Sequence, residues 1–315
     1  MPIGGRLLAL GLGNSLLWSL YLLLTRHVVS SAALDAWAYT LVQLLTAGLI
    51  LLWLGRGATA SWRDLLAPWT IGYAFLRVAI NGATAASITW LAITESTLLA
   101  TVSVLIGAAS GWWLTRNPPP RRDWPGLALL AVGIVAFALA LAPGARPGLA
   151  WLVVSEAMAV TASWMIAYHP RNRLTDLAAR SRFTGEILVA ASLALIVVWS
   201  VLGLAGLVAS PWAGGGDAFG RVELWLYAAL AGLLFRAPGT WLGFWTINRT
   251  GVQSYLIVLT AMPFFAMALE AAAAHVGWVT APHLSIAEWI AAAVILAASV
   301  WLIMVQMKAP PAAAP

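Results

Sequence analysis

Ten apolar stretches, each about the length of a membrane-crossing helix, follow one another through the chain, split by short polar or Pro/Gly-rich connections. They cover roughly residues 7–27, 37–54, 69–92, 95–114, 124–142, 150–168, 183–209, 222–246, 251–278 and 286–307. A helix needs about 20 mostly apolar residues to span the hydrocarbon core. Lipid offers no partner to an unpaired backbone group, so such runs read as helices. A transmembrane barrel would alternate polar and apolar residues in strands of about ten, and these runs are continuous. Of the 315 residues, 62% are hydrophobic and 9% charged. Soluble domains carry about a quarter charged residues, and a soluble fold could not hide this much apolar surface. The sequence therefore predicts an all-α membrane protein with ten transmembrane helices. The first run lacks a small-residue cleavage site before Arg26-His27 and is kept as a span rather than a signal peptide. The Ala/Pro-rich residues 309–315 are expected to form a disordered tail.

Basic residues fall unevenly on the two sides of this plan. Arg6, Arg56, Arg63, Arg116, Arg121, Arg122, Arg171, Arg173, Arg180, Arg182, Arg249 and Lys308 share the side of the N-terminus. Arg26, Arg146 and Arg221 lie opposite. Twelve against three places both termini in the cytoplasm. The net charge of +6 then reports topology and predicts no nucleic-acid partner. Trp37, Trp69, Trp112, Trp113, Trp124, Trp151 and Trp289 lie near run ends, as an interfacial belt requires.

A shift of 159 residues lays the third and fourth runs on the eighth and ninth. Arg77 then falls on Arg236, the break at Ala92–Glu95 on Gly251–Ser254, and Leu98 on Ile257. At another offset Ser15–Tyr21 resembles Thr161–Tyr168 and pairs Trp18 with Trp164. Five spans per unit is an odd number, so the second unit enters the membrane inverted. The predicted units are residues 1–148 and 149–308. Inverted repeats with a site at their midplane interface are an architecture of secondary transporters. Each unit can adopt the conformation that its twin leaves, which opens the site to one side and then the other.

With these features the chain resembles the drug/metabolite transporter superfamily and its bacterial EamA-type members. The likeness rests on the five-plus-five plan and on Arg77–Trp113: a Gly/Ala/Ser/Thr-rich third span, a tight polar break, and a small-residue fourth span ending in Trp112-Trp113. It extends over nearly the whole chain, and within the superfamily it is similar to exporters of aromatic and other neutral amino acids. The resemblance implies an exporter in the inner membrane of a bacterium.

Ionisable groups inside a span are costly and are functional candidates by default. Arg77 and Arg236 lie nearest mid-span, at matched positions. Two roles fit them. Either they face a water-filled cavity and hold a carboxylate, for which the guanidinium fork is suited, or they form a structural pair tied to glutamates or helix carbonyls. Glu156 and Glu270 either couple transport to protons or neutralise those arginines. Glu186, close to Arg182, is expected to snorkel to the cytoplasmic surface.

Trp18 with Tyr21, and Trp164 with Tyr168, each share a helix face by their spacing. With Trp241 and Tyr255 they are candidates for an aromatic wall suited to flat, amphipathic cargo; packing or lipid-facing rings are the plainer alternative. Asn81 shares a face with Arg77, and Ser103, with Thr101, Ser87 and Thr89, adds hydroxyls to a candidate binding site. Such hydroxyls also serve as glue between membrane helices. Gln253 and Ser254 open the ninth span, where free amides suit a carboxylate. Pro238 and Pro263 interrupt spans eight and nine, as hinges or as inert kinks.

Absent motifs narrow the function. There is no phosphate loop and no cysteine, and His27, His169, His275 and His283 are scattered without metal-ligand spacing. No carboxylate pair suits glycoside hydrolysis, and no ring of charge or carbonyl filter suggests a channel. Ser110 has no histidine placed to activate it. The chain is expected to be a secondary transporter, not an enzyme, needing no cofactor or metal and working as a monomer. Its expected cargo is a small amphipathic metabolite, foremost an aromatic or other neutral amino acid. Alternatives are export of cationic drugs or other metabolites, an intramembrane enzyme acting on lipids, and a non-transporting scaffold.

Overall fold

The computed structural model describes residues 5–58, 62–116, 118–169, 176–205, 216–280 and 283–307. The tail expected at 309–315, and Arg171, Arg173 and Lys308 of the charge count, lie outside the described residues. Every regular element among the described residues is helical. Helix α1 (Gly5–Arg26) runs on into a π-helical turn at His27–Ser31, and α2 is Ala36–Leu54. A short α3 (Trp62–Leu65) precedes α4 (Pro68–Ile88), α5 (Ile93–Ala100), α6 (Val102–Thr115) and α7 (Trp124–Ala140). Then come α8 (Arg146–Tyr168), α9 (Leu177–Leu204) and α10 (Val222–Ala231), and a π-helical turn at Gly232–Arg236 leads into α11 (Ala237–Thr250). The chain continues through α12 (Val252–Leu259), α13 (Met262–His275) and α14 (Ile286–Met307).

Eight helical segments are long and apolar enough to cross a membrane. They include the joined pairs Ile93–Thr115 and Val252–His275. Two further runs match expected spans but fall outside the eight. Trp124–Ala140 is apolar but only 17 residues long. Val222–Thr250 is broken into three pieces and carries Arg236, Thr240, Asn248 and Arg249. The chain is thus an all-α protein of multi-pass membrane character. Its outward faces agree, with Leu139, Val132, Val197, Ile286 and Ile290 each at least 60% exposed, a surface that suits lipid.

Local chemistry sets where the helices start. Prolines stand in the first turn of α4, α7, α8, α11 and α13, where a missing N–H costs nothing. The Asp35 carboxylate accepts the Ala38 N–H (2.7 Å) at the head of α2. Ser285 and Glu288 cap α14 reciprocally, each accepting the other's backbone N–H. Between α11 and α12 the chain reverses at Gly251 with φ +81°, a conformation that other residues adopt only with strain.

The two joined pairs break alike. Thr101 separates α5 from α6, and its hydroxyl donates back to the Leu98 carbonyl (2.6 Å). Thr260, 159 residues on, ends α12, and its hydroxyl donates back to the Ile257 carbonyl (2.7 Å). Pro263 stands in the first turn of α13, directly after that second break. Pro238 follows the π-helical turn that carries Arg236, where the wider turn accommodates its missing donor.

Helix α2 lies along α9, α4 along α8, and α7 along α14, while α1 packs against α11, α12 and α13. Small residues allow the close approaches. A Cβ added at Gly185 would meet the Leu52 backbone nitrogen at 2.6 Å, and one at Gly133 would meet Ile295 at 2.8 Å.

Candidate solute-binding cavity

A cavity of about 170 Å³ opens in the middle of the bundle. A single water needs roughly 10–15 Å³ of such space, so the volume suits on the order of ten waters or one small solute. Its wall combines polar groups with an aliphatic lining of Leu22, Ile80, Leu152, Leu256, Leu259 and Met262. A smaller gap shares Trp18, Arg77, Ser163 and Tyr255 with it and continues past Tyr73, Thr240 and Phe244.

Helix α4 contributes one polar face. Arg77, Asn81 and Thr84 follow at steps of four and three, which stacks them on one side of the helix. The Asn81 amide donates to the Arg77 backbone carbonyl, and an Arg77 Nη donates to the Thr240 hydroxyl at 3.4 Å. Thr84 shares a hydroxyl contact of 2.7 Å with Ser155 on α8.

Arg236 projects from its π-helical turn and is 3% exposed. Its guanidinium lies 4.6 Å from the Trp18 ring centre and 5.6 Å from that of Tyr21. The two rings hold each other edge to face, and Gln43 donates to the Tyr21 hydroxyl at 2.9 Å. The faces expected to stack on cargo are thus partly occupied, and they orient a cation instead.

Arg236 and Arg77 are near enough to repel. Among the described residues neither has a carboxylate within ion-pair distance, and the Nε of each has no hydrogen-bond partner. Glu156 reaches the cavity from α8, with the Ser103 hydroxyl in hydrogen-bonding reach. Tyr255 also lines the cavity, and its hydroxyl accepts from Asn14 at 3.3 Å.

The structure thus gathers Trp18, Tyr21, Arg77, Asn81, Ser103, Glu156, Arg236 and Tyr255 around one space. It places four other sequence candidates elsewhere. Trp164 turns away: its indole N–H donates to the Ser110 hydroxyl (3.0 Å) and its ring stacks on Tyr168. Tyr168 is 48% exposed. Trp241 packs toward α9, beside Arg180 and Thr184. Glu270 is fully buried away from the cavity, where its carboxylate accepts the backbone N–H groups of Ile93 (3.0 Å) and Thr94 (2.8 Å). Its cation is Arg26, at 3.7 Å, not Arg77 or Arg236. That carboxylate is engaged in capping α5.

Two smaller expectations also shift. Ser87 and Thr89 donate to helix carbonyls and do not line the cavity. Ser254 donates to Gln306, so the start of α12 is turned toward α14. Glu186 pairs with Arg182 at 2.9 Å. Sequence reasoning missed Thr84, Ser163 and Thr260. Thr84 continues the face of Arg77 and Asn81, and Thr260 matches Thr101 at the same shift of 159, so both carried a legible signal. Because Tyr168 and Trp241 stand clear of the cavity, Tyr168→Ala and Trp241→Phe are expected to alter the affinity for a solute bound there by less than about twofold. Solute-binding measurements on the two variants check this, and a tenfold change in either overturns the placement.

No family model matches the chain. No curated protein matches it in sequence either. A solved structure, described only as the crystal structure of a protein, superposes on 96% of this chain and 99% of its own, with a TM-score of 0.60 and 17% sequence identity. That likeness establishes a shared overall fold for a chain of few sequence signposts.

Proposed function

We propose that the chain is a secondary transporter which moves a small, carboxylate-bearing amphipathic metabolite, foremost a neutral or aromatic amino acid, by alternating access. The observation that carries this reading is the pair of arginines facing one mid-bundle cavity with no carboxylate partner among the described residues. Removing two cations from water costs several kcal/mol each unless charge is returned to them. A ligand carboxylate returns it, and the guanidinium fork binds that group in two-point fashion. The same pair disfavours a purely cationic drug, which would leave both guanidiniums without a compensating charge.

The reading includes ten spans in two inverted units, residues 1–148 and 149–308. Several observations support it. Arg77 and Arg236, and the helix breaks at Thr101 and Thr260, all recur at one shift of 159. Helix neighbours also exchange consistently: α2 with α9 and α7 with α14 map onto themselves, and α4 with α8 maps onto α11 with α1. The breaks line the cavity, and broken helices at a repeat interface suit a transport site. Pro238 and Pro263 adjoin the π-turn and the second break, and so serve as hinge points in this scheme. The loop arginines place both termini in the cytoplasm, and the resemblance to EamA-type exporters points to a bacterial inner membrane and outward flow.

Counterflow tests the reading. Liposomes carrying the purified protein and preloaded with unlabelled L-phenylalanine or L-leucine are expected to accumulate the labelled amino acid above empty liposomes. Folded protein that accumulates no amino acid overturns the amino-acid reading.

A further inference from the structure

We infer that the cavity is bipolar and that Glu156 is its ammonium-binding pole, so that the transported solute is recognised as a zwitterion. The inference rests on the transport reading above. The two arginines gather at one part of the wall, with Trp18, Tyr21 and Tyr73 around them. Glu156 lies elsewhere on the same wall, and neither arginine is among its partners.

The α4 face shows the separation. Thr84 lies seven residues beyond Arg77, about 10 Å along a helix rising 1.5 Å per residue. Thr84 contacts Ser155, the immediate neighbour of Glu156 on α8. Glu156 therefore sits toward the Thr84 level, and Asn81 bridges the interval to Arg77.

Glu156 lacks a committed donor. The Ser103 hydroxyl has one proton, and the Ala100 carbonyl competes for it at 2.7 Å. When that proton goes to Ala100, the carboxylate has no other donor among the described residues. An ammonium group brings three donors and a compensating charge. Leu152 and Ala159 flank Glu156 on the same face of α8, and Leu256, Leu259 and Met262 close the space with apolar surface. An uncharged side chain fits there, and a charged one would be buried without a partner. The site thus selects a solute with a carboxylate for the arginines, an ammonium for Glu156 and an apolar remainder.

Binding of radiolabelled L-phenylalanine to the full-length protein in nanodiscs tests this, competed by 3-phenylpropionate, which lacks the ammonium, and phenethylamine, which lacks the carboxylate. Wild-type protein is expected to prefer L-phenylalanine to either competitor by at least about tenfold. In Glu156→Gln the affinity for L-phenylalanine is expected to fall about 10- to 100-fold, the loss of one charge-assisted hydrogen bond. Affinity for 3-phenylpropionate stays unchanged, so the preference disappears. Glu156→Asp, which keeps the charge, retains part of the preference. Unchanged affinities and preference in Glu156→Gln overturn the inference and leave the transport reading standing. An equal loss for all three compounds in folded Glu156→Gln also overturns it, because Glu156 then shapes the cavity without reading the ammonium. Wild-type protein that binds none of the three overturns both.

Discussion

Arg236→Gln is expected to lower L-phenylalanine counterflow about 100-fold without lowering the thermal midpoint of the protein. The two halves of that result have separate causes. Truncating one partner of a desolvated charge pair costs about 2–5 kcal/mol of binding, so the loss in transport follows from the ligand carboxylate losing half its clamp. Stability behaves differently because none of the described residues supplies a carboxylate to Arg236. Its stacking on Trp18, at 4.6 Å, contributes on the order of 2 kcal/mol. Burying an unpaired guanidinium costs several kcal/mol, which offsets that contribution. Arg236→Lys is expected to recover little transport, because an ammonium lacks the planar fork and the ring stacking. Proteoliposome kinetics and thermal unfolding of the same preparations decide the matter. Full transport in both Arg236→Gln and Arg77→Gln sinks the carboxylate clamp, and a large fall in thermal midpoint with transport per folded molecule retained makes Arg236 a structural residue.

Glu270→Ala is expected to show the reverse pattern, with stability falling by about 3–5 kcal/mol and solute affinity per folded molecule nearly unchanged. Removing one member of a buried ion pair leaves the other uncompensated. Here the change also strips two amide donors, at Ile93 and Thr94, of their acceptor. The carboxylate ties three elements together. It stands on α13, caps the start of α5, and holds Arg26 at the end of α1, whose guanidinium also donates to the Leu91 carbonyl. Glu270→Gln keeps an oxygen for one amide but loses the charge for Arg26, so an intermediate loss is expected. Unfolding titrations in mixed micelles measure the difference. A Glu270→Ala protein as stable as wild type contradicts the capping role derived from these distances.

The contrast between Arg236 and Glu270 shows how much of the site was legible beforehand. Both are ionisable residues within apolar runs, and the sequence marks them equally as costly. What separates them is the partner. Arg236 faces a cavity with an unpaired Nε, whereas both oxygens of Glu270 are engaged. The rings beside Arg236 lie more than 200 residues from it in sequence, and the partners of Glu270 more than 170 from it, so no local pattern reveals them. The aromatic pairs teach the same lesson. Trp18–Tyr21 and Trp164–Tyr168 look alike by spacing, yet the first borders the cavity and the second stacks ring on ring, with Trp164 bonded to Ser110 on α6.

The helical, membrane-crossing character of this chain was legible in its residues, as was the neighbourhood of most helix ends. Those properties depend on apolar run length and on proline and glycine placement, both of which are written along the chain. Only the tertiary structure decided which face of each helix looks inward. In water an amphipathic stripe announces that face. In lipid the inside and the outside of a bundle are both apolar, so burial leaves little mark on the sequence and side-chain direction has to come from the packing itself.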